Sequence, residues 1–338
     1  VRAGAYFTCA RRISGAVVCW GYNGHAELGD GGMLHAWCAG GIDCSVAPVA
    51  VRGLTEAVEL GAGSSHVCAR RRSGEVVCWG DGSLGQIGNG GMTAALVPAV
   101  VDGLTDAIEL SGNGARSCVR RAAGGVVCWG QNAAAQLGDG VPVHESCASP
   151  TGGRIDCSSV PVTVADLGDA TRLAVGIGHA CALRSTGAVA CWGANESGQL
   201  GDGSFVHPAC TGGSDCSPTP VAASGAMDVV EVTGGGSFTC ARRAASTVDC
   251  WGLDAAGQLG DGATIHSTCI VTGRPLDCSA SPVTVTGLTD AVEITASAGH
   301  TCARRTTGDV VCWGWGEYGQ LGDGATVDRD APVAVVLP

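Results

Sequence analysis

The sequence predicts an all-β protein: a single six-bladed β-propeller spanning residues 1–338, with four-stranded antiparallel blades. Three observations predict it. The triplet C-W-G recurs six times, at Cys19, Cys78, Cys128, Cys191, Cys250 and Cys312, at intervals of 59, 50, 63, 59 and 62 residues. Self-similarity at such a period marks a repeat architecture. Between the copies lie short β-branched segments punctuated by glycine, and no window carries a helical stripe.

Each copy reads as the same string of elements. A P-V segment such as PVAV is taken as the first strand, AVEL as the second, HVCAR as the third and EVVCW as the fourth. A turn-like hexamer follows: AELGDG, GQIGNG, AQLGDG and then GQLGDG three times. The C-terminal APVAVVLP resembles a first strand and the N-terminal VRAGAYFTCARR a second and third. One blade is therefore expected to close the ring by pairing N- and C-terminal strands. The same strands could instead pair with a neighbouring molecule and build a homo-oligomer, filament or surface layer.

A cysteine stands ten residues before each C-W-G: Cys9, Cys68, Cys118, Cys181, Cys240 and Cys302. Placing Cys68 opposite Cys78 pairs Ala69 with Val77 and Arg70 with Val76, and leaves Arg72-Ser73-Gly74 for the turn. A three-residue hairpin loop needs a left-handed residue at its end, normally glycine. Gly15, Gly74, Gly124, Gly187 and Gly308 stand there, and Ser246 departs. Directly opposed residues of a non-hydrogen-bonded antiparallel pair lie about 4.5 Å apart, within disulfide reach. Six disulfides within blades are expected: Cys9–Cys19, Cys68–Cys78, Cys118–Cys128, Cys181–Cys191, Cys240–Cys250 and Cys302–Cys312.

The other eight cysteines sit in insertions after the G-D-G turn of copies one, three, four and five. The inserts share a frame, H-x-x-C … D-C-S. Local closure pairs Cys38 with Cys44, Cys147 with Cys157, Cys210 with Cys216 and Cys269 with Cys278, leaving none over. Ten bridges imply an oxidising location: extracellular, cell-surface or periplasmic.

The units resemble the regulator of chromosome condensation repeat family. The resemblance rests on the frame aG-x-x-H-x-C-A … G-x-V-x-C-W-G-x-N-x-x-G-Q-L-G-D-G, best seen from Ala298 to Gly324, and covers all six copies. It implies a β-propeller, usually of seven blades, acting as a protein-binding platform. The family's nuclear prototype is an exchange factor for a small GTPase that docks on chromatin. A secreted bacterial relative inhibits β-lactamases through one propeller face. Paired cysteines are not general in the family, so this chain is similar to a secreted, cysteine-rich bacterial member.

Composition narrows the partners. The net charge is −12 and all 19 basic residues are arginine. Nucleic acid needs clustered basic side chains to displace counterions, so it is not an expected partner. No apolar run approaches the roughly 20 residues of a membrane span, so no membrane insertion is expected. No signal peptide is visible, which reads as a mature chain. No nucleophile elbow, zinc-protease helix or phosphate loop occurs, so no enzyme, cofactor or metal is expected. A glycan-active enzyme at the propeller mouth stays the alternative class.

Several motifs take plain readings. The His/Cys/Asp/Cys inserts could hold zinc, but even cysteine counts favour disulfides. The Asp of each G-D-G is read as bonding its own turn rather than calcium, and the Arg-Arg pairs as hairpin tips partly paired with Glu75 or Asp309. Aromatic residues outside the repeated Trp are few and concentrate in copies six and one. Tyr22, Trp37, Trp315 and Tyr318 are accordingly candidate contacts for another protein, a second copy or a glycan. The disulfide-closed inserts, with His35, His144, His207 and His266, form the second candidate surface.

Overall fold

The structure is a computed structural model; the residues described are 1–336, without 33, 39–40, 150–151, 208–209 and 211–214. Six antiparallel sheets follow one another along the chain, each built from a contiguous stretch. The second is the plainest. Ala57–Ala62, His66–Arg71, Val76–Gly80 and Ala95–Val100 lie side by side in chain order.

The P-V segment is thus the fourth strand of a sheet, not the first. It returns along the third strand after the G-D-G turn, a local antiparallel pairing that needs no crossover. The C-terminal strand Arg329–Ala334 completes the sheet of Ala291–Ala296, His300–Arg305 and Val310–Gly314. At the other end a two-residue stub, Arg2–Ala3, pairs with Phe7–Arg11. This corrects the phase expected from sequence, in which the last strand opened the first blade: each terminal strand is accounted for in the sheet adjacent to it in sequence.

The hairpin register is as the cysteine spacing requires. Cys68 faces Cys78, Ala69 faces Val77 and Arg70 faces Val76. The six ten-apart pairs have Cα separations of 4.0–4.1 Å, and each closes a disulfide. Gly74 closes its turn at φ +90°, and Ser246, the departure, adopts φ +65° all the same. The four insert pairs are also bridged, with Cα separations of 5.9–6.1 Å. Three inserts add an outer strand to their sheets: Ala36–Cys38, Glu145–Ala148 and Ser267–Val271. In these three the bridge ties the two limbs of an edge hairpin.

The chain divides into two compact units: residues 1–133 with 141–168, and 134–140 with 169–338. The repeat tryptophan is a buried packing element in five of the six sheets; Trp20 of the first is only partly buried. In the first unit the indole N–H of Trp79 donates to the carbonyl of Glu27 at 3.0 Å, and that of Trp129 to Gln86 at 3.0 Å. In the second, Trp192, Trp251 and Trp313 donate to Gln136, Gln199 and Gln258. All five are fully buried. Each bond reaches the hexamer of the preceding repeat, so the Q-L-G-D-G turn seats the next sheet's tryptophan. The glycine of that turn is required: a Cβ on Gly29 would lie 2.5 Å from Trp79 Cδ1.

Candidate functional site

The H-x-x-C … D-C-S frame of the inserts builds one recurring side-chain cluster. In the fourth sheet, His207 Nε2 lies 2.8 Å from Asp202 Oδ2, the Asp of G-D-G. His207 Nδ1 lies 3.1 Å from Asp215 Oδ1, the Asp of D-C-S, and the His207 N–H donates to the same oxygen at 2.7 Å. The first sheet repeats this with His35, Asp30 and Asp43, at 2.7 Å and 3.0 Å. In the third, His144 meets Asp156 at 3.3 Å through Nδ1 and 2.7 Å through its backbone N–H. In the fifth, His266 lies between Asp261 at 2.8 Å and Asp277 at 3.1 Å.

An asparagine three residues after the tryptophan completes three of the four clusters. Asn23, Asn132 and Asn195 donate from Nδ2 to the D-C-S aspartate at 2.6, 2.6 and 2.8 Å. Asn23 and Asn195 also accept from the backbone N–H of Leu28 and Leu200 in the hexamer. The G-D-G aspartates bond their own turns through Oδ1, as expected: Asp30 to Gly32, Asp202 to Ser204, Asp261 to Ala263. Their second oxygen is what sequence reading missed, because it reaches a histidine five residues on.

The electrostatics follow from this geometry. The bond to Asp30 holds the His35 imidazole above its usual range despite burial. For His207 and His266 burial works against the charge, and the bonds to the two aspartates outweigh it, so both are raised. In the fifth sheet Asp254 replaces the asparagine, and burial pushes its carboxyl up to about 6. A charged imidazole between carboxylates stapled beside a disulfide is a rigid strut for the hairpin.

The four histidine side chains are 9–15% exposed, turned inward as struts. The residue before each is turned outward. Leu34, Val143, Val206 and Ile265 are 81, 61, 84 and 82% exposed. An aliphatic side chain displayed just before the histidine of all four inserts is a surface feature that the aromatic residues do not reveal. Its signal was present: an aliphatic residue precedes the His of every insert frame.

The aromatic candidates fall into separate groups. Trp37 is 73% exposed on the edge strand Ala36–Cys38, opposite Asp43. Tyr22 is partly buried, with Tyr6 at 6.2 Å and His25 at 6.0 Å between ring centres. In the other unit Trp315 and Tyr318 form an edge-to-face pair at 5.1 Å, and Tyr318 is 79% exposed. The Arg-Arg pairs do not form a free basic ring. Arg70, Arg120, Arg242 and Arg304 bond Glu59, Glu109, Glu231 and Glu293 on the adjacent strand. Arg71 takes Glu75 as expected, whereas Arg305 takes Asp290 rather than Asp309.

Comparisons with known proteins agree with the repeat reading. Family models described as regulator of chromosome condensation (RCC1) repeat match residues 1–27, 57–86, 170–199 and 291–320 in one form, and 186–242 and 307–338 in another. The chain is 28% identical over 191 residues to RCC1 domain-containing protein 1 of Homo sapiens, covering 48% of this chain and 49% of that protein. It is 29% identical over 209 residues to the ultraviolet-B receptor UVR8 of Arabidopsis thaliana, covering 48% and 45%. The chain thus matches about half the length of these relatives. Among solved structures, yeast RCC1 (Prp20) bound to Kap60 superposes with a TM-score of 0.77 at 20% identity, covering 99% of this chain and 74% of that one. Human WBSCR16 superposes at 0.76 with 20% identity, covering 99% and 81%. At these identities the likeness concerns the fold: the six sheets are blades of the RCC1 propeller type.

Proposed function

The chain belongs to the regulator of chromosome condensation (RCC1) repeat family, and from that premise we propose that it is a disulfide-stapled, six-bladed propeller that binds another protein outside the cytoplasm and catalyses no reaction. The observation that carries the reading is the recurrence of Leu34, Val143, Val206 and Ile265 as exposed aliphatic tips, each next to a clamped histidine. Hairpins held by a disulfide and a histidine strut lose little freedom on binding, so little of the interaction energy is spent ordering them. Exposed apolar side chains rimmed by polar groups mark contact surfaces. Trp37 extends the apolar display on the first insert, and Trp315 with Tyr318 offers a second aromatic anchor.

Relatives support the binding role in kind. Yeast RCC1 is solved in complex with Kap60, and UVR8 is described as a receptor. Ten bridged cysteine pairs with no free thiol among the described residues support an oxidising location. Self-assembly is the second reading, favoured by the C-terminal strand Arg329–Ala334, which ends its sheet as an open edge.

The test compares the wild-type chain with the quadruple variant Leu34→Ser, Val143→Ser, Val206→Ser, Ile265→Ser. A protein captured from the extracellular fraction by the wild type is identified and titrated against both. Loss of roughly 100-fold in affinity is expected if the tips act as hot spots. Equal affinity removes the aliphatic tips as contact residues. Sedimentation of the wild type at micromolar concentration separates the readings, since large assemblies would favour self-association.

A further inference from the structure

The fifth blade departs from its sisters at one position, and the departure changes the chemistry. Where the first, third and fourth blades have Asn23, Asn132 and Asn195, the fifth has Asp254. Its Oδ1 accepts from the Leu259 N–H at 2.8 Å, as the asparagine oxygens do. Its Oδ2 takes the place of the amide group that donates to the D-C-S aspartate in the sisters. A carboxylate has no proton to give there. The contact of Asp254 Oδ2 is a long one, to His266 Nδ1 at 3.5 Å, although its side chain is only 3% exposed.

The surrounding groups supply donors of both kinds. His266 Nδ1 lies 3.5 Å from Asp254 Oδ2 and 3.1 Å from Asp277 Oδ2. The three ligand atoms, one from each residue, lie within 4.8 Å of one another, and among the described residues no other group does this. On the far side of the ring, Nε2 is 2.8 Å from Asp261 Oδ2. An imidazole that donates one N–H to a carboxylate presents the other nitrogen as a lone pair, the usual outer-sphere arrangement of a metal-bound histidine.

A cleft of about 320 Å³ opens beside the cluster, lined by Asp254 and Asp277 and by Asp328 and Asp330. Arg329 is turned away, to Asp323 at 2.7 Å. One histidine ring therefore faces five carboxyl groups, and the negative charge in excess is concentrated at the mouth of the cleft; a metal ion bound there would take the place of the proton on Nδ1.

We propose that Asp254, His266 and Asp277 bind one divalent transition-metal ion, of the zinc or manganese type, with Asp261 orienting the histidine ring. The mixed nitrogen–oxygen donor set selects such ions over calcium, which takes oxygen ligands alone. The sister blades do not bind it, because the asparagine amide occupies the place of the third ligand.

The experiment uses the untagged full chain, stripped with chelator and dialysed against Zn²⁺, Mn²⁺ or Ca²⁺, with metal measured by elemental analysis. One equivalent of Zn²⁺ or Mn²⁺ per chain is expected, and no stoichiometric Ca²⁺. Asp254→Asn restores the sister residue, so the chain should fold as before and lose the ion. Asp261→Asn should weaken binding roughly 10- to 100-fold. A second measurement needs no variant: Zn²⁺ should shift the ¹⁵N resonance of His266 Nδ1 and leave His35, His144 and His207 in place. No bound Zn²⁺ or Mn²⁺, wild-type binding by Asp254→Asn, or equal shifts at all four histidines would each overturn the proposal.

Discussion

His207 Nε2 lies 2.8 Å from Asp202 Oδ2, and this contact joins the turn that every repeat carries to an insertion that only four carry. The G-D-G aspartate spends one oxygen on its own turn and the other on the histidine. The insertion is thereby fastened to the G-D-G turn by an ion pair, and to Asp215 and the Cys210–Cys216 bridge within itself.

The clamp has a pH signature. His207 is held above its ordinary range, with burial opposing and the Asp202 and Asp215 bonds prevailing. A raised folded-state value means its contribution is fully present below about 6.5, the unfolded value, and is lost as pH rises through the folded value. Protection of the insert amides, taken relative to the intrinsic base-catalysed rate, should therefore fall as pH rises through the folded value of His207. His207→Gln should remove that fall in the fourth insert and leave the first unchanged. Protection that is flat with pH in the wild type would contradict the clamp.

Glycines of the same conformation should differ sharply in tolerance. Gly260 has φ +70° and Gly273 φ +79°, so a side chain is strained at both, by roughly 1–2 kcal/mol. A Cβ on Gly273 meets nothing within 4 Å, whereas on Gly260 it would lie 2.6 Å from Trp313 Cδ1. Gly260→Ala should lower stability by about 2 kcal/mol more than Gly273→Ala, through displacement of a buried indole. Denaturant midpoints at equal slope measure the difference.

The hairpin bridges were legible because spacing, turn glycine and register are local and point to one arrangement. Cys68, Gly74 and Cys78 lie within eleven residues and specify each other. The clamp was not legible because its members stand apart and each had a sufficient local explanation. Asp202 had its turn, Asp215 preceded a cysteine, and His207 opened an insert. Only folding brings them within 3.1 Å. The aliphatic tips were passed over since aromatic residues are the commoner anchors, and exposure of Val206 or Ile265 is decided by the hairpin, not by the residue type. The strand phase was misread because the P-V segment is close in sequence to strands on both sides, and hydrogen bonding rather than spacing decides between them.

Reductant should discriminate among the bridges. Cys68 and Cys78 are wholly buried between strands, while Cys38 stands exposed on an edge strand. Thiol–disulfide exchange requires access to a sulfur. Mild reduction under native conditions followed by alkylation should label Cys38 and Cys44 well before Cys68 and Cys78. Replacing Cys68 and Cys78 together should cost about 3 kcal/mol, the loop-entropy value for a ten-residue closure. Simultaneous labelling of both pairs would show that the blade opens as readily as the insert.

The buried histidine of the second blade should set part of the acid limit of stability. His66 is 1% exposed, and its Nε2 lies 2.8 Å from Ser117 Oγ, while Nδ1 has no partner among the described residues. Burial pushes it down to about 4, with Asp81 opposing weakly. The unfolded chain takes up a proton near 6.5 that the native ring refuses until about 4, so stability falls as pH drops across that window, by on the order of 3 kcal/mol in all. Phe7 and Phe238 occupy the same repeat position in two other blades, and both are buried. His66→Phe therefore fits the seat and removes the titration. Melting temperatures of wild type and variant should converge or favour the wild type at pH 7, where Ser117 keeps its partner, and cross in the variant's favour by pH 4.5. Parallel pH profiles for the two proteins would mean that His66 is reached by solvent and protonates without opening the blade.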